Sequence, residues 1–368
     1  MTITDTTEDL EAQVGAYAEQ LFGTGLAALE AATIAVGRAL GLYAALDEVG
    51  PATPAEVGAA AGVHPRYARE WLEQQASGGW IALAEGDGDT DPDARRYSLP
   101  VAAAACLLDP ESPASVGPLL DFVPVVGTVL PALLEAFRTG GGVPYADYGV
   151  HDIQGDFNRP ALLHQLTTEW LPAVPGLVER LAAGPARVAE IGCGEGWAAI
   201  SIARAWPAVG VDGFDLDEAS IAAARRHAAS AGVADRVRFE VADVTRDEVG
   251  TGAYDLVLAV EMVHDLARPV EALATMRRLA GDGGAVLVVD EGVAETFAVP
   301  TENPVERLFY AASVLHCLPV GMAEGGSAGT GAVMRPDTLR AHALAAGFAA
   351  VDVLPVEHDM FRFYRLVP

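Results

Sequence analysis

Hydrophobic and polar positions follow two alternating periods along the second half of this chain. Short apolar runs are separated by stretches in which apolar residues recur three or four positions apart. The runs predict five buried strands, at residues 188–191, 209–215, 237–243, 254–260 and 285–291. Because strands alternate with helices, we expect a parallel sheet with right-handed crossovers that binds ligands at the carboxyl ends of its strands.

The first hundred residues carry a different pattern. Helical periodicity predicts a long helix at 26–48, a short helix at 54–61 and a third helix at 65–77 that begins with a proline. A strand then leads into a glycine- and aspartate-rich tip at 85–93, and a second strand returns at 95–99. This order of elements predicts a winged helix.

An apolar stretch at residues 119–137 joins these two regions. It is barely long enough to span a bilayer, and it contains Asp121, Pro124, Gly127 and Pro131. These residues favour a buried, broken pair of helices over a membrane segment. The expected organisation has three parts: a winged-helix domain at 1–105, a helical linker and cover at 106–150, and a third domain at 151–368.

The first predicted strand runs into a glycine-rich turn, Glu190-Ile-Gly192-Cys193-Gly194-Glu195-Gly196. Glycines let a backbone turn sharply and approach a ligand closely, and the helix that follows presents free N–H groups at its start. The spacing differs from the Gly-x-Gly-x-x-Gly of dinucleotide sites, and the acids in the turn disfavour a pyrophosphate. A cationic, phosphate-free nucleoside such as S-adenosylmethionine (SAM) suits the turn better.

Acids end the next two strands at the positions that such a nucleoside requires. At Asp215 a carboxylate can accept both ribose hydroxyls, and at Asp243 one can accept the adenine N6–H. For one acid alone, a solvated loop carboxylate is an equally good explanation, but the ordered set favours a binding site. The expected cofactor site is completed by residues next to the strand ends, Leu216, Val244, Glu261 and Met262.

With these motifs, residues 150–368 resemble a class I SAM-dependent methyltransferase. The chain is similar to bacterial members that carry an N-terminal winged helix and, more distantly, to plant caffeate-type O-methyltransferases. The resemblance implies an α/β, Rossmann-like domain whose seven-stranded sheet is completed by an antiparallel pair, predicted at 351–355 and 361–366, beside a mainly helical winged-helix domain. It also implies SAM as donor, S-adenosylhomocysteine (SAH) as product and a homodimer formed through the N-terminal domain.

Methyl transfer to a hydroxyl requires a base for the departing proton. His264 is the best candidate, because it follows the fourth strand and an ordinary imidazole, with a pKa of about 6.5, is neutral at cytoplasmic pH. The plant enzymes have a catalytic His-Asp pair at the corresponding place, matched here by His264-Asp265, although Leu266 replaces their usual Trp. A capping role before a helix that starts near Pro269 is the alternative. Glu291 is predicted to orient His264 or a substrate hydroxyl.

The remaining candidates belong to the expected acceptor side. His316 is a second catalytic candidate, and Cys317 is expected to be a buried wall residue, since no neighbouring base is identifiable. Tyr148 and Trp170 are expected in the substrate pocket. An aromatic face at Tyr145 or Tyr148 would favour the sulfonium, and the alternative is a turn aromatic that fills the domain junction. No carboxylate cluster indicates a metal ion.

Charge changes the interpretation of the winged helix. The chain carries 51 acidic against 23 basic residues, a net charge of −28. Up to Cys106 it has only five arginines against sixteen acids, and the predicted tip carries four aspartates. Because phosphate contacts supply most nonspecific DNA affinity, dimerisation is favoured over nucleic-acid binding. A DNA contact would depend on Arg66, Arg69, Arg95 and Arg96.

The cysteines and the chain start bear on the compartment. Three widely separated cysteines indicate neither a disulfide framework nor a zinc site, and the acidic start lacks a signal-peptide pattern. We therefore expect a cytoplasmic, homodimeric methyltransferase of secondary metabolism that acts on a small, partly apolar molecule, with O-methylation favoured over C- or N-methylation. The alternative hypothesis is a winged-helix transcriptional regulator whose methyltransferase-like domain senses a ligand.

Overall fold

The structure is a computed structural model that describes residues 7–246, 248–250 and 253–368, with side chains from residue 10 onward. The chain divides into two compact units, Met1–Gly127 and Thr128–Pro368. One hydrophobic core belongs to the N-terminal unit, and two core clusters belong to the C-terminal unit.

The N-terminal unit is mainly helical. Its first five helices are α1 (Thr7–Ala39), α2 (Leu42–Val49), α3 (Pro54–Ala61), α4 (Pro65–Ser77) and α5 (Val101–Leu107). The prediction of one helix at 26–48 was wrong, because Gly41 adopts a φ of 66° and separates α1 from α2. Helices α3 and α4 have the predicted bounds, since each begins with a proline behind a capping residue, Thr53 and His64 respectively.

Two short strands form the predicted wing. β1 (Ala82–Leu83) pairs antiparallel with β2 (Tyr97–Ser98). Two ion pairs connect α4 with the wing segment, Arg69 with Asp93 at 3.1 Å and Arg95 with Glu73 at 2.8 Å. The helices and the ribbon together form a winged helix.

One helix, α6 (Gly117–Thr139), continues through the boundary between the two units. The prediction of a buried, broken helix pair was wrong here: the helix runs without interruption past Pro124, Gly127 and Pro131, and only 11% of its most apolar window is buried. By length and composition, α6 and the segment Leu10–Ala39 of α1 could each cross a membrane. Signal sequences and core helices of soluble proteins also pass this test.

The C-terminal unit contains a seven-stranded sheet in the part of the chain that the structure describes. Its strands are β3 (Ala186–Ile191), β4 (Val209–Asp215), β5 (Val237–Val241), β6 (Leu256–Val260), β7 (Ala285–Glu291), β8 (Ala350–Val353) and β9 (Phe361–Val367). They lie in the order β5-β4-β3-β6-β7-β9-β8, all parallel except β9, which is antiparallel to both of its neighbours. The predicted α/β fold with an antiparallel pair of strands at one edge is confirmed.

Helices cover both faces of this sheet. They are α7 (Tyr145–Tyr148), α8 (His151–His164), α9 (Leu177–Ala182), α10 (Trp197–Ala205), α11 (Glu218–Ser230), α12 (Pro269–Ala280), α13 (Pro304–Ala312), α14 (Leu318–Gly321) and α15 (Pro336–Ala345). Alternate residues of each central strand enter different cores: Val188 packs in one cluster and Ala189 in the other. Burial on both faces explains why these strands read as continuous apolar runs.

Helix α8 has a proline, Pro160, in its interior. A π-helical turn, Leu166–Trp170, follows the end of α8.

Candidate active site

The glycine turn after β3 has the backbone that its sequence predicts. Gly192, Gly194 and Gly196 all have positive φ, between 49° and 80°. A Cβ on Gly192 would lie 2.7 Å from Cγ of Met262, and one on Gly196 would lie 2.5 Å from the Phe239 ring. Only glycine fits these positions, so the backbone N–H groups at the start of α10 stay open to a ligand.

Asp215 and Asp243 stand at the ends of neighbouring strands and brace the turns around them. Asp215 accepts hydrogen bonds from the backbone N–H groups of Gly194 at 2.8 Å and Asp217 at 2.9 Å. Asp243 accepts from the backbone N–H and the hydroxyl of Thr245 at 2.9 and 2.6 Å. A carboxylate offers about four lone-pair positions, and a hydroxyl or an amine of a nucleoside would be a further donor to either acid. Burial raises the pKa of Asp215.

Three predicted cofactor residues turn their side chains away from the crevice. Glu190 is 3% exposed and accepts the Ala199 N–H of α10 at 2.9 Å, and burial raises its pKa to about 8. The side chains of Cys193 and Val244 pack in the two cores. Only the backbone of these residues can reach a cofactor, whereas Leu216, directly after Asp215, is 64% exposed.

A strained residue follows β6. Glu261 has a positive φ of 49°. Among the described residues, every other residue with a positive φ is a glycine. Such a conformation costs about 1–3 kcal/mol and is concentrated at functional sites. Burial raises the pKa of Glu261 to about 7. Met262, next in the chain, lies against Gly192, so the residues after β6 are in contact with the glycine turn.

His264 lies at the centre of a cluster of carboxylates. Its Nδ1 is 2.7 Å from Asp290 Oδ1 and 2.7 Å from Glu291 Oε2, and its Nε2 is 3.2 Å from Asp265 Oδ1. His264 itself is 2% exposed. The structure thus brings His264 and Glu291 together. It adds Asp290, the residue before Glu291 in β7.

The cluster determines the protonation of His264. Burial alone lowers its pKa, but the carboxylates of Glu291, Asp290 and Asp265 raise it well above its ordinary value. Burial raises the pKa of Glu291, whereas His264 holds the pKa of Asp290 below its usual range despite burial. These carboxylates favour the protonated form of His264, so the neutral ring that the sequence led us to expect requires a pH above the raised pKa. The capping alternative was wrong, because Arg268 occupies the N-cap of α12.

Among the described residues, His264 belongs to both groups that could ligate a metal ion. One combines it with Asp290 and Glu291, the other with Asp265 and Cys317. The 2.7 Å nitrogen–oxygen separations are hydrogen-bond distances. Ligands of tetrahedral zinc, at bonds of about 2.0 Å, stand about 3.3 Å apart. The first group therefore fits a shared proton better than a metal ion.

Known proteins resemble both parts of the chain. The model of the Rv2258c-like winged HTH domain matches residues 27–108, and that of a methyltransferase domain matches residues 188–284, which include the glycine turn, Asp215, Asp243 and His264. The chain is 27% identical over 219 residues to the ubiquinone biosynthesis O-methyltransferase of Pseudomonas aeruginosa, covering 58% of this chain and 84% of that protein. The chain therefore combines a SAM-dependent methyltransferase domain with an N-terminal winged helix.

Further similarities extend along the methyltransferase. The corresponding enzyme of Bordetella avium is 30% identical over 176 residues, 46% of this chain and 65% of that one. The structure of mitomycin 7-O-methyltransferase has a TM-score of 0.70 at 20% identity, covering 97% of this chain and 99% of that chain. The structure of human N-acetylserotonin methyltransferase in complex with SAM has a TM-score of 0.69 at 16% identity, covering 100% of this chain and 99% of that chain. At these identities the two structures support the fold.

The acceptor side of the methyltransferase contains a group of rings. His316, in a π-helical turn between α13 and α14, is 3% exposed, and its ring centroid lies 4.7 Å from that of Tyr148. The Tyr148 hydroxyl donates to Leu315 O at 2.9 Å. Burial lowers the pKa of His316 and raises that of Cys317. The pKa of His316 is thus shifted in the opposite direction to that of His264, and Cys317 is a buried thiol.

Tyr145 is a residue whose position the sequence left open. Its hydroxyl donates to Gln154 Oε1 at 2.7 Å, and its ring lies 5.9 Å from that of His316. Burial, then the charges of Asp215 and Asp217, raise its pKa. Tyr145 therefore lies beside His316, and Asp215 and Asp217 are close enough to influence its pKa. Its aromatic type in a glycine-rich segment was the one available signal.

Trp170 was predicted to line the substrate pocket, but this prediction was wrong. The residue belongs to the hydrophobic core. It is completely buried and packs against Phe361 and Phe363, with ring centroids 5.6 and 5.1 Å away. The π-helical turn after α8 directs it toward β9.

Proposed function

We propose that this methyltransferase transfers the methyl group of SAM to a hydroxyl oxygen of a small, partly apolar molecule of secondary metabolism and releases SAH. The observation that carries the proposal is the cluster of His264, which follows β6, with Asp290 and Glu291 at the end of β7. β6 lies next to β3, the strand that leads into the glycine turn. The names of the curated relatives, both O-methyltransferases, support oxygen as the accepting atom.

The chemistry requires both an in-line approach and a proton acceptor. A lone pair of the acceptor oxygen attacks the methyl carbon, the carbon–sulfur bond breaks, and its electron pair remains on the sulfur of SAH. The hydroxyl proton passes to Nε2 of a neutral His264 that has turned from Asp265, a contribution of about 10²–10⁴-fold. Asp290 and Glu291, at Nδ1, then stabilise the imidazolium.

The cluster also sets the pH dependence. Only a neutral imidazole can take the proton, and the pKa of His264 lies well above its ordinary value of 6.5. The neutral fraction grows as pH rises, so the rate should increase through neutral pH and level off only above the raised pKa. The Asp290→Asn substitution removes one carboxylate that raises the pKa, so it should move this increase to lower pH.

A screen of small hydroxylated aromatic compounds with methyl-labelled SAM tests the proposal. Nuclear magnetic resonance of the product identifies the methylated atom, and rates are then measured between about pH 5 and 10 for the wild type and Asp290→Asn. An O-methyl product with a rate that rises with pH supports the proposal. Methylation at nitrogen or carbon, or a rate that falls with pH, contradicts it.

We also propose that the winged-helix unit forms a homodimer through α1. Residues 10–29 of α1 are all exposed, and Leu10, Val14, Tyr17 and Leu21 form an apolar stripe at helical spacing. Most of the stability of a helix in a protein comes from packing of its apolar face against another element, so α1 of a second copy is its proposed partner. Tyr17→Glu with Leu21→Glu should give a monomer by light scattering, whereas Ala12→Glu, on the opposite face, should remain a dimer.

The regulator alternative gains no support from the winged helix. Arg66, Arg69 and Arg95 each pair with an acid of their own unit, Glu70, Asp93 and Glu73 respectively, and the Arg96 guanidinium donates to Pro51 O. A DNA contact would have to break these interactions. Sequence-selective DNA binding in a gel-shift assay at low salt would support the regulator alternative. If no DNA binding is seen, only the enzymatic function is supported.

A further inference from the structure

Residues 322–331, termed the strap, follow α14 and contain four glycines. The far end of the strap is bonded to the turn that carries His264: Ala328 N–H donates to Ala267 O at 2.9 Å, and Gly331 N–H donates to His264 O at 3.1 Å. Three of its glycines have φ between 59° and 78°. The path of the strap along the catalytic turn therefore depends on glycine.

Arg246 connects the strap to the nucleoside side of the crevice. It lies in the turn after Asp243, and its backbone N–H donates to Asp243 O at 3.0 Å. Its Nε is 3.4 Å from Asp243 Oδ2, while its second terminal nitrogen is 2.5 Å from Glu324 Oε2 in the strap. One guanidinium thus contacts both the adenine-side acid and the strap.

We propose that Arg246 and Glu324 form a clasp that fastens the strap beside the adenine end of the bound cofactor. In this role Arg246 is a positioning residue: it orients Asp243 and holds the strap in place. The position of the adenine rests on the contact proposed for Asp243. SAH then leaves only when the clasp opens, and loss of the clasp loosens the strap along the His264 turn.

The size of the effect follows from the exposure of the two side chains. Arg246 is 49% and Glu324 39% exposed, and ion pairs of this kind contribute modestly and are screened by salt. Breaking the clasp should therefore raise the SAH dissociation constant about two- to fivefold. SAH is the suitable probe, because it lacks the sulfonium charge through which salt would act on SAM.

The experiment compares Glu324→Gln with Asp337→Asn, which removes the partner of Arg340 in an exposed pair on α15. SAH dissociation constants are measured by calorimetry at about 0.05 and 1 M NaCl, and hydrogen exchange of the strap is followed with and without SAH. We expect Glu324→Gln to bind SAH more weakly at low salt only and to lose the SAH-induced protection of the strap. Asp337→Asn should behave like the wild type.

Equal affinity and equal strap protection in Glu324→Gln and the wild type would overturn the clasp. Glu324→Asp, which keeps the charge, should recover most of the affinity, and a variant with lost affinity but unchanged strap protection would also contradict the proposal. Asp243→Asn tests the adenine contact separately. If Asp243→Asn leaves SAH binding unchanged while Glu324→Gln weakens it, the proposed contact between Asp243 and the adenine is contradicted, whereas the proposed clasp is still supported.

Discussion

Carboxylates serve different purposes on the two sides of the crevice. At the ends of β4 and β5, Asp215 and Asp243 accept hydrogen bonds from the backbone of the turns around them. At the end of β7, Asp290 and Glu291 face the His264 ring at 2.7 Å. A carboxylate that braces a turn fixes the shape of a ligand site, whereas one beside a buried imidazole fixes a proton. The nucleoside side should therefore control affinity for the cofactor, and the acceptor side should control turnover.

The largest effect is expected from His264→Gln. Turnover should fall about 10²–10⁴-fold because the proton acceptor is lost, while the SAH dissociation constant should stay within about twofold. Turnover is measured with an acceptor from the screen, and affinity by calorimetry. Full turnover with unchanged SAH binding would reduce His264 to a structural residue, and a large loss of affinity would erase the difference between the two sides.

Asp215→Ala should have the opposite profile. It removes the proposed acceptor for two ribose hydroxyls together with the acceptor for the Gly194 N–H. SAH should therefore bind about 10²-fold more weakly if two charged hydrogen bonds of about 1.5 kcal/mol are lost. At saturating SAM, turnover should change far less. Asp212→Asn is a control, because Asp212 lies within β4 and pairs with Arg187. Undiminished SAH affinity in Asp215→Ala would be incompatible with the ribose assignment.

The smallest expected effect concerns the stability of the protein. It tests whether Glu190, unlike Asp215, has a structural role on the nucleoside side. Glu190 has its pKa raised from 4.5 to about 8 by burial, so its contribution to stability is complete below about pH 4.5 and is lost as pH rises through about 8. Relative to Glu190→Gln, the wild type should lose up to about 1.4 kcal/mol per pH unit in that window. Urea unfolding at several pH values measures this, and parallel pH profiles of the two proteins would refute it.

The sheet was predictable because its signals are local. β4 and β7 have the bounds that their apolar runs predict, and a strand buried on both faces requires such a run. The same holds for the glycine turn, whose positive φ angles demand glycine. The continuous α6 was missed because proline and glycine within an apolar helix usually indicate a break, and Trp170 was missed because a π-helical turn redirects it.

The site was predictable in position but not in protonation. His264 and Asp265 are adjacent in the chain, whereas the two acids that face Nδ1 come from the end of β7, a strand that the fold places beside β6. Burial lowers the pKa of His264 and those acids raise it. The spacing of residues in the sequence does not reveal which of the two effects is larger. The side chains of Glu190, Cys193 and Val244 were likewise assigned from strand-end positions, without knowledge of the direction in which they point.

The most direct test of the division between the two sides is one calorimetric titration with SAH of the wild type, Asp215→Ala and His264→Gln. We predict that the wild type and His264→Gln bind SAH within about twofold of each other and that Asp215→Ala binds about 10²-fold more weakly. Failure of the folded wild type to bind SAH, or an equal loss of affinity in both variants, would contradict this division.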